Sequence, residues 1–179
     1  GNDTLIGGLG ADALDGGAGS DTAIYYDSKQ AVNLNLSNET EATGGTAAGD
    51  TYQSVENVVG SEHSDTIKGD LYNNIINGNE GDDTLYGGDG ADTLQGDSGN
   101  DEIYGERGSD TITGHEGEDK LYGGTGSDLI SGGEGEDEVY GGAHDDILQG
   151  DSGNDTLHGG ADQDILFGGE GDDHLFGDS

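Results

Sequence analysis

Thirteen consecutive nine-residue units, each opening on glycine, fill the chain from Gly60 to Phe176 without a gap. The sixth position is Asp in every unit except the one that carries Asn74, and the eighth is always Leu, Ile or Val, from Ile67 to Leu175. One acidic and one aliphatic side chain per nine residues excludes a helical face, whose apolar period is 3.6. Two more units start at Gly7 (GGLGADALD) and Gly16 (GGAGSDTAI), behind a half-unit, GNDTLI, at Gly1. A fixed period of this kind marks an architecture in which each unit stacks on its neighbours.

Each unit reads as a short strand around position eight followed by a Gly-rich turn, because glycine supplies the positive φ that tight turns need. Position nine carries a second period. Tyr86, Tyr104, Tyr122, Tyr140, His158 and Phe176 alternate with Asn77, Gln95, Thr113, Ser131, Gln149 and Phe167, so the aromatic spacing is eighteen residues. Two units therefore complete one turn of a solenoid, with one ladder on each of two opposed sheets. Coils about 4.8 Å apart would make the continuous block about 31 Å long. A longer echo, GNEGDDTLYGGDGADTLQGDSGND from Gly78 and GGEGEDEVYGGAHDDILQGDSGND from Gly132, preserves the side-to-side phase.

The period divides the chain into a first repeat block (1–24), a non-repeat insertion or junction (25–59) and a continuous repeat block (60–179). Within the junction AVNLNL, with Val32, Leu34 and Leu36 alternating, reads as an extended strand ahead of the Gly-rich GGTAAGD. The junction is expected to be an enlarged turn between repeat blocks and not a separate domain.

Composition explains why such a chain needs help to fold. Leu, Ile, Val and Phe total 31 of 179 residues and the formal net charge is -36, which together describe a chain prone to disorder. Forty acidic residues against four basic ones exclude a nucleic-acid-binding basic surface and disfavour anionic membranes, leaving cations as the natural partners. Cysteine is absent, so disulfides and thiolate metal sites are excluded and any staple must use oxygen ligands, the donors that hard cations such as Ca²⁺ take. No apolar run approaches a membrane span, and no basic-then-apolar leader is visible; an export signal, if there is one, is expected to lie elsewhere. The start on a half-unit and the stop at GDS read as a piece cut from a longer protein.

The consensus GGxGxDx(Leu/Ile)x resembles the RTX (repeats-in-toxin) family, the hemolysin-type calcium-binding nonapeptide repeats of proteins exported by bacterial type I secretion. That resemblance implies an all-β, right-handed parallel β-roll with two nonapeptide repeats per turn, binding several Ca²⁺ ions between coils. The carboxylate ligands it implies form one row of Asp65, Asp83, Asp101, Asp119, Asp137, Asp155 and Asp173. The other row is Asn74, Asp92, Asp110, Asp128, Asp146 and Asp164, and Asp3, Asp12 and Asp21 belong to the first block. Neighbours in a row would share an ion. The implied carbonyl donors are Gly78, Gly81, Gly87, Gly90, Gly96, Gly99, Gly105, Gly108, Gly114, Gly117, Gly123, Gly126, Gly132, Gly135, Gly150, Gly153, Gly168 and Gly171. Electrostatics agrees with the resemblance: carboxylates stacked about 4.8 Å apart without cations repel by roughly 3 to 4 kcal/mol per pair at an effective dielectric near 20. The fourth-position glycine is intact from the Asp83 unit to the Asp173 unit on the first side, but the second side has Tyr72, His144 and Asp162 there. A Cβ at that place strains the turn, so the first row is expected to bind ions more completely, with His63 weakening its first site.

Other chemistry is poorly supported. His63, His115, His144, His158 and His174 occupy four different repeat positions and converge on no zinc or catalytic site, and no catalytic constellation is visible. Threonines at position seven are interrupted by Glu102, Lys120, Glu138 and His174, which argues against a flat threonine ladder. The aromatic ladder packs coils together, with a glycan- or partner-binding stripe as the alternative. The expected function is calcium binding by a module that folds on Ca²⁺ as part of a larger extracellular protein, secreted or held at the cell surface. The alternatives are an adhesive or structural spacer of a surface adhesin, and an accessory module of an exported protease, lipase or alginate epimerase.

Overall fold

A computed structural model describes residues 1–37 and 42–179, so 38–41 of the junction lie outside the described residues. The protein is a parallel β-solenoid of about nine turns, built from a nine-stranded and an eight-stranded sheet with a separate two-stranded pair. Successive strands of the repeat block alternate between the two large sheets. Each strand pairs in parallel with the strand eighteen residues on, as in Leu94↔Ile112 on one sheet and Tyr104↔Tyr122 on the other. The eighteen-residue aromatic period is this coil repeat.

Strand alternation explains the two invariant apolar places. In Thr84–Asp89 and its counterparts, position eight and the next unit's opening glycine point inward, while positions seven and nine point outward. The position-eight side chains from Ile67 to Leu157 are at most 1% exposed and form one continuous core between the sheets. The opening glycine has no room for a side chain: a Cβ on Gly105 would stand 2.4 Å from Asp110 Oδ2 and 2.6 Å from the Gly123 carbonyl oxygen.

Strands are longer than the sequence pattern suggests. They run six residues, from position seven through position three of the next unit, leaving only positions four to six as turn. Pairing passes over the opening glycine and resumes at position two, which has positive φ whether it is glycine, as at Gly124 (φ 104), or not, as at Glu106 (φ 72) and His115 (φ 84). The ladder skips only position one, running through Tyr104↔Tyr122 before it and Glu106↔Gly124 and Arg107↔Thr125 after it.

The junction occupies places in both large sheets. Asn33–Asn35 pairs with Thr66–Lys68, setting Leu34 beside Ile67, and Asn57–Val59 fits between Thr22–Ile24 and the strand that starts at Ile75. Val32 and Leu34 are 1% exposed and Leu36 is partly buried. Leu14 and Tyr52 pair in the two-stranded sheet. Beneath it the buried Tyr25 hydroxyl donates to Asp50 Oδ2 at 2.9 Å and meets the Tyr52 hydroxyl at 2.7 Å. Burial and the neighbouring acid push both phenols well above their ordinary range.

On the outer face of the eight-stranded sheet, Tyr86, Tyr104, Tyr122, Tyr140, His158 and Phe176 stack with ring centroids 4.6 to 5.1 Å apart and planes within 9°. Lys68 sits 4.5 Å over the Tyr86 ring and closes the column by a cation–π contact. The inner rings spend both faces on each other, which supports packing as the ladder's role. Tyr122→Leu keeps apolar area but removes two ring contacts, and is expected to lower stability by about 1 kcal/mol, read from thermal melts in Ca²⁺.

Candidate metal sites

Position six is the last residue of the turn, just before the chain re-enters a strand, and its aspartate is turned inside the roll. From Asp83 to Asp155 these carboxylates are no more than 2% exposed. Each is held the same way: Oδ1 accepts the backbone N–H of the position-six residue one coil earlier, at 2.7 Å from Asp83 to Asp101 and 2.8 Å from Asp92 to Asp110. Among the described residues the second oxygen has no partner. Asp12, Asp21, Asp83, Asp92, Asp101, Asp110, Asp119, Asp128, Asp137, Asp146, Asp155 and Asp164 all carry a buried Oδ2 without a hydrogen bond.

A buried carboxylate oxygen without a partner costs free energy unless a proton or a cation completes it. Burial accordingly raises the acid's pKa from Asp83 to Asp155, with carboxylates in adjacent coils adding to the rise at several positions. Asp83 is pushed up to about 8, Asp128 and Asp137 to about 7, and Asp92, Asp101, Asp119 and Asp146 to about 6.

Carbonyl oxygens stand along the same columns. Around Gly105 the Asp110 Oδ2 and the next coil's Gly123 carbonyl crowd the place a Cβ would take, and Gly78, Gly87, Gly114, Gly123, Gly132 and Gly150 repeat this pattern. The position-four glycines form a second column, in the turns. Gly81, Gly90, Gly99, Gly108, Gly117, Gly126, Gly135, Gly153 and Gly171 have φ between 122° and 152°. From Gly81 to Gly153 their N–H groups are used, as in Gly99 to the Glu116 carbonyl at 2.9 Å, but among the described residues their carbonyls accept no hydrogen bond. No three His, Cys, Asp or Glu side chains converge as a metal cluster among the described residues. The donor set is instead one carboxylate per unit together with main-chain carbonyls, all oxygen, which fits a hard cation of the size and flexible coordination of Ca²⁺.

Not every candidate aspartate is equivalent. Asp65 is satisfied by the protein: Oδ1 accepts the Val32 N–H at 2.7 Å and the Ser61 hydroxyl at 2.8 Å, and Oδ2 accepts the Ser61 N–H at 2.6 Å. Asn74 is satisfied too, its Oδ1 accepting the Asp70 N–H and its Nδ2 donating to the Glu56 carbonyl, each at 2.8 Å. Asp3 is exposed, Asp12, Asp164 and Asp173 are half-buried, and Asp21 is fully buried. Among the second side's position-four exceptions, His144 and Asp162 adopt φ of 85° and 82°. Tyr72 does not, and its N–H turns to Asp70 Oδ1 at 2.8 Å.

Two carboxylates in these columns lie outside the glycine-led units: Glu56, which falls eighteen residues before Asn74 and could be found by counting the period back, and Asp50, which could not. Asp50 Oδ1 accepts the Asp12 N–H at 2.9 Å, and Glu56 Oε2 accepts the Asp21 N–H at 2.9 Å, so each takes the place of a next-coil aspartate. Their separations from the residues they cap, 38 and 35, carry no eighteen-residue signal.

Compared with known families, residues 1–23 and 59–94 match the profile of the RTX calcium-binding nonapeptide repeat, and overlapping matches continue through 86–121, 95–130, 122–157 and 149–179. The chain belongs to the RTX calcium-binding nonapeptide repeat family. The RTX repeats account for both blocks on either side of the junction, and with the parallel solenoid they imply a Ca²⁺-binding β-roll. RTX repeats are a structural calcium-binding module and occur in secreted bacterial proteins. No curated protein sequence matches the chain. No helix among the described residues is long and apolar enough to cross a membrane.

Proposed function

We propose that this RTX roll is a folding switch operated by Ca²⁺ and carried by a larger secreted protein, ordering only where the ion is plentiful. The observation that carries this reading is the run of buried Oδ2 atoms without partners, one per unit from Asp83 to Asp164. Ca²⁺ would be held by Asp83, Asp101, Asp119, Asp137, Asp155 and Asp173 on one side and by Asp92, Asp110, Asp128, Asp146 and Asp164 on the other. Opening and turn glycine carbonyls of adjoining coils would complete each shell. The Asp83 row is the more complete one, since its turns keep glycine at position four while His144 and Asp162 hold left-handed backbone on the other side.

Residue by residue, the chain's own part is to present the carboxylate from a fixed strand and to hold it by the bond to the previous coil's N–H. Asp119→Asn keeps that acceptor and the side-chain shape but removes the charge that neighbouring ions share. Calorimetric titration with Ca²⁺ at pH 7.5 should show fewer ions bound per chain in Asp119→Asn than in the unaltered protein. Mg²⁺, which prefers a tighter octahedron that retains water, should give a much weaker response in both. Equal Ca²⁺ stoichiometry in the variant would remove Asp119 from the ligand set.

A further inference from the structure

We propose that Asp21, Glu56 and the Ser54 carbonyl form a Ca²⁺ site that fastens the 25–59 segment to the roll. The proposal rests on the reading of the repeat columns as Ca²⁺ sites and extends it to a place built from outside the repeat. Neither Ser54 nor Glu56 belongs to a nonapeptide unit, and both fall between the matched stretches 1–23 and 59–94.

Asp21 is 0% exposed, its Oδ1 accepts the Asp3 N–H at 2.6 Å, and its Oδ2 has no partner among the described residues. That free oxygen faces the bare Cα of Gly16, where a Cβ would stand 2.7 Å from Asp21 Oδ2 and 2.2 Å from the Ser54 carbonyl oxygen. The repeat cradle at Gly105 has the same composition, with Asp110 Oδ2 at 2.4 Å and a next-coil carbonyl at 2.6 Å. Glu56 supplies the second acid. Its Oε2 accepts the Asp21 N–H at 2.9 Å, the bond that Asp128 makes to Asp110 at 2.8 Å inside the repeat block.

The step from Asp21 to Glu56 spans 35 residues, and the longer glutamate side chain closes it, while the strand that follows Glu56 is already in register with the next block, Asn57 pairing with Ile75. Ser54, at φ 50°, turns the chain between the strand Thr51–Gln53 and the strand Asn57–Val59. Two carboxylates, one with a wholly buried free oxygen, and a carbonyl make an all-oxygen donor set suited to Ca²⁺. On the far side the column ends, because Asn74 takes the Glu56 carbonyl with its amide and brings no charge. The junction ion is therefore isolated from the row that resumes at Asp92, and its loss should be separable from binding by the repeats.

The test uses the full chain and two variants, Glu56→Gln, which keeps the acceptor for the Asp21 N–H, and Asp21→Asn. Ca²⁺ stoichiometry is measured by equilibrium dialysis, alongside hydrogen exchange at Thr22–Ile24 and Asn57–Val59. Both variants are expected to bind one ion fewer than the unaltered chain, to keep the Ca²⁺-induced β signal, and to lose protection at those two strands only. Unchanged stoichiometry in both variants, with the unaltered chain binding Ca²⁺, overturns the junction site and leaves the repeat columns standing. Loss of the whole Ca²⁺ response in both would make these residues structural and also overturns it. An unaltered chain that binds no Ca²⁺ overturns the junction site together with the reading on which it rests.

Discussion

Stripped of Ca²⁺ by a chelator at pH 7.5, the chain is expected to lose its β signal, to regain it on adding Ca²⁺, and to regain a large part of it in chelator when the pH is lowered to about 4. The carboxyl groups of the columns have folded pKa values raised by burial, about 8 at Asp83, about 7 at Asp128 and Asp137, and about 6 at Asp92, Asp101, Asp119 and Asp146. In an unfolded chain the same groups titrate near 3.9. Between those limits the folded state binds more protons, so stability without metal falls as pH rises from about 4 to about 8. Ca²⁺ reverses the penalty by neutralising ionised carboxylates in place, stabilising the folded state alone by mass action. Circular dichroism along a pH titration in chelator, repeated in millimolar Ca²⁺, checks both halves. A metal-free β signal that strengthens from pH 4 to pH 8 would sink the account of the columns.

Most of this architecture is legible in the chain because each unit repeats the same local physics. The inward aliphatic at position eight, the aspartate at position six and the eighteen-residue aromatic spacing each map onto one column of the solenoid, from Ile67 to Leu157 in the core and from Tyr86 to Phe176 on the face. Strand length is less legible. A Gly-Gly pair reads as turn, yet both glycines lie within a strand, position one facing inward and position two paired to the next coil despite its positive φ. The junction is least legible, since its contacts depend on tertiary placement. The alternation of Val32, Leu34 and Leu36 signals an extended segment, but nothing in it signals that Val32 N–H will bond Asp65, which makes that aspartate unlike Asp83. Asp50 enters its column at a separation no period contains, and Glu56, although eighteen residues before Asn74, stands at an aperiodic 35 from Asp21, so only coordinates bring them to Asp12 and Asp21.

Gly108→Ala and His144→Gly, both at position four on the Asp92 side, are expected to act in opposite directions. Gly108 has φ 133°, and a Cβ there would lie 1.3 Å from the Gly90 carbonyl oxygen, so alanine must displace the backbone of the neighbouring coil as well as adopt a conformation L residues avoid. The cost should be about 3 kcal/mol, lowering Tm in saturating Ca²⁺ by about 6 to 12 °C. His144 already occupies this place at φ 85°, with its N–H donating to the Ala161 carbonyl at 3.1 Å. Glycine keeps that bond and removes the left-handed penalty of about 1 to 2 kcal/mol, offset in part by the greater freedom of an unfolded glycine. A net gain of about 0.5 to 1 kcal/mol follows, together with tighter Ca²⁺ binding at the adjoining turns. Because each coil touches only its neighbours, hydrogen exchange should confine both effects to nearby coils. If His144→Gly left Ca²⁺ affinity unchanged while Gly108→Ala lost stability, position four would matter to stacking alone. The weakness assigned to the Asp92 side would then lose its cause.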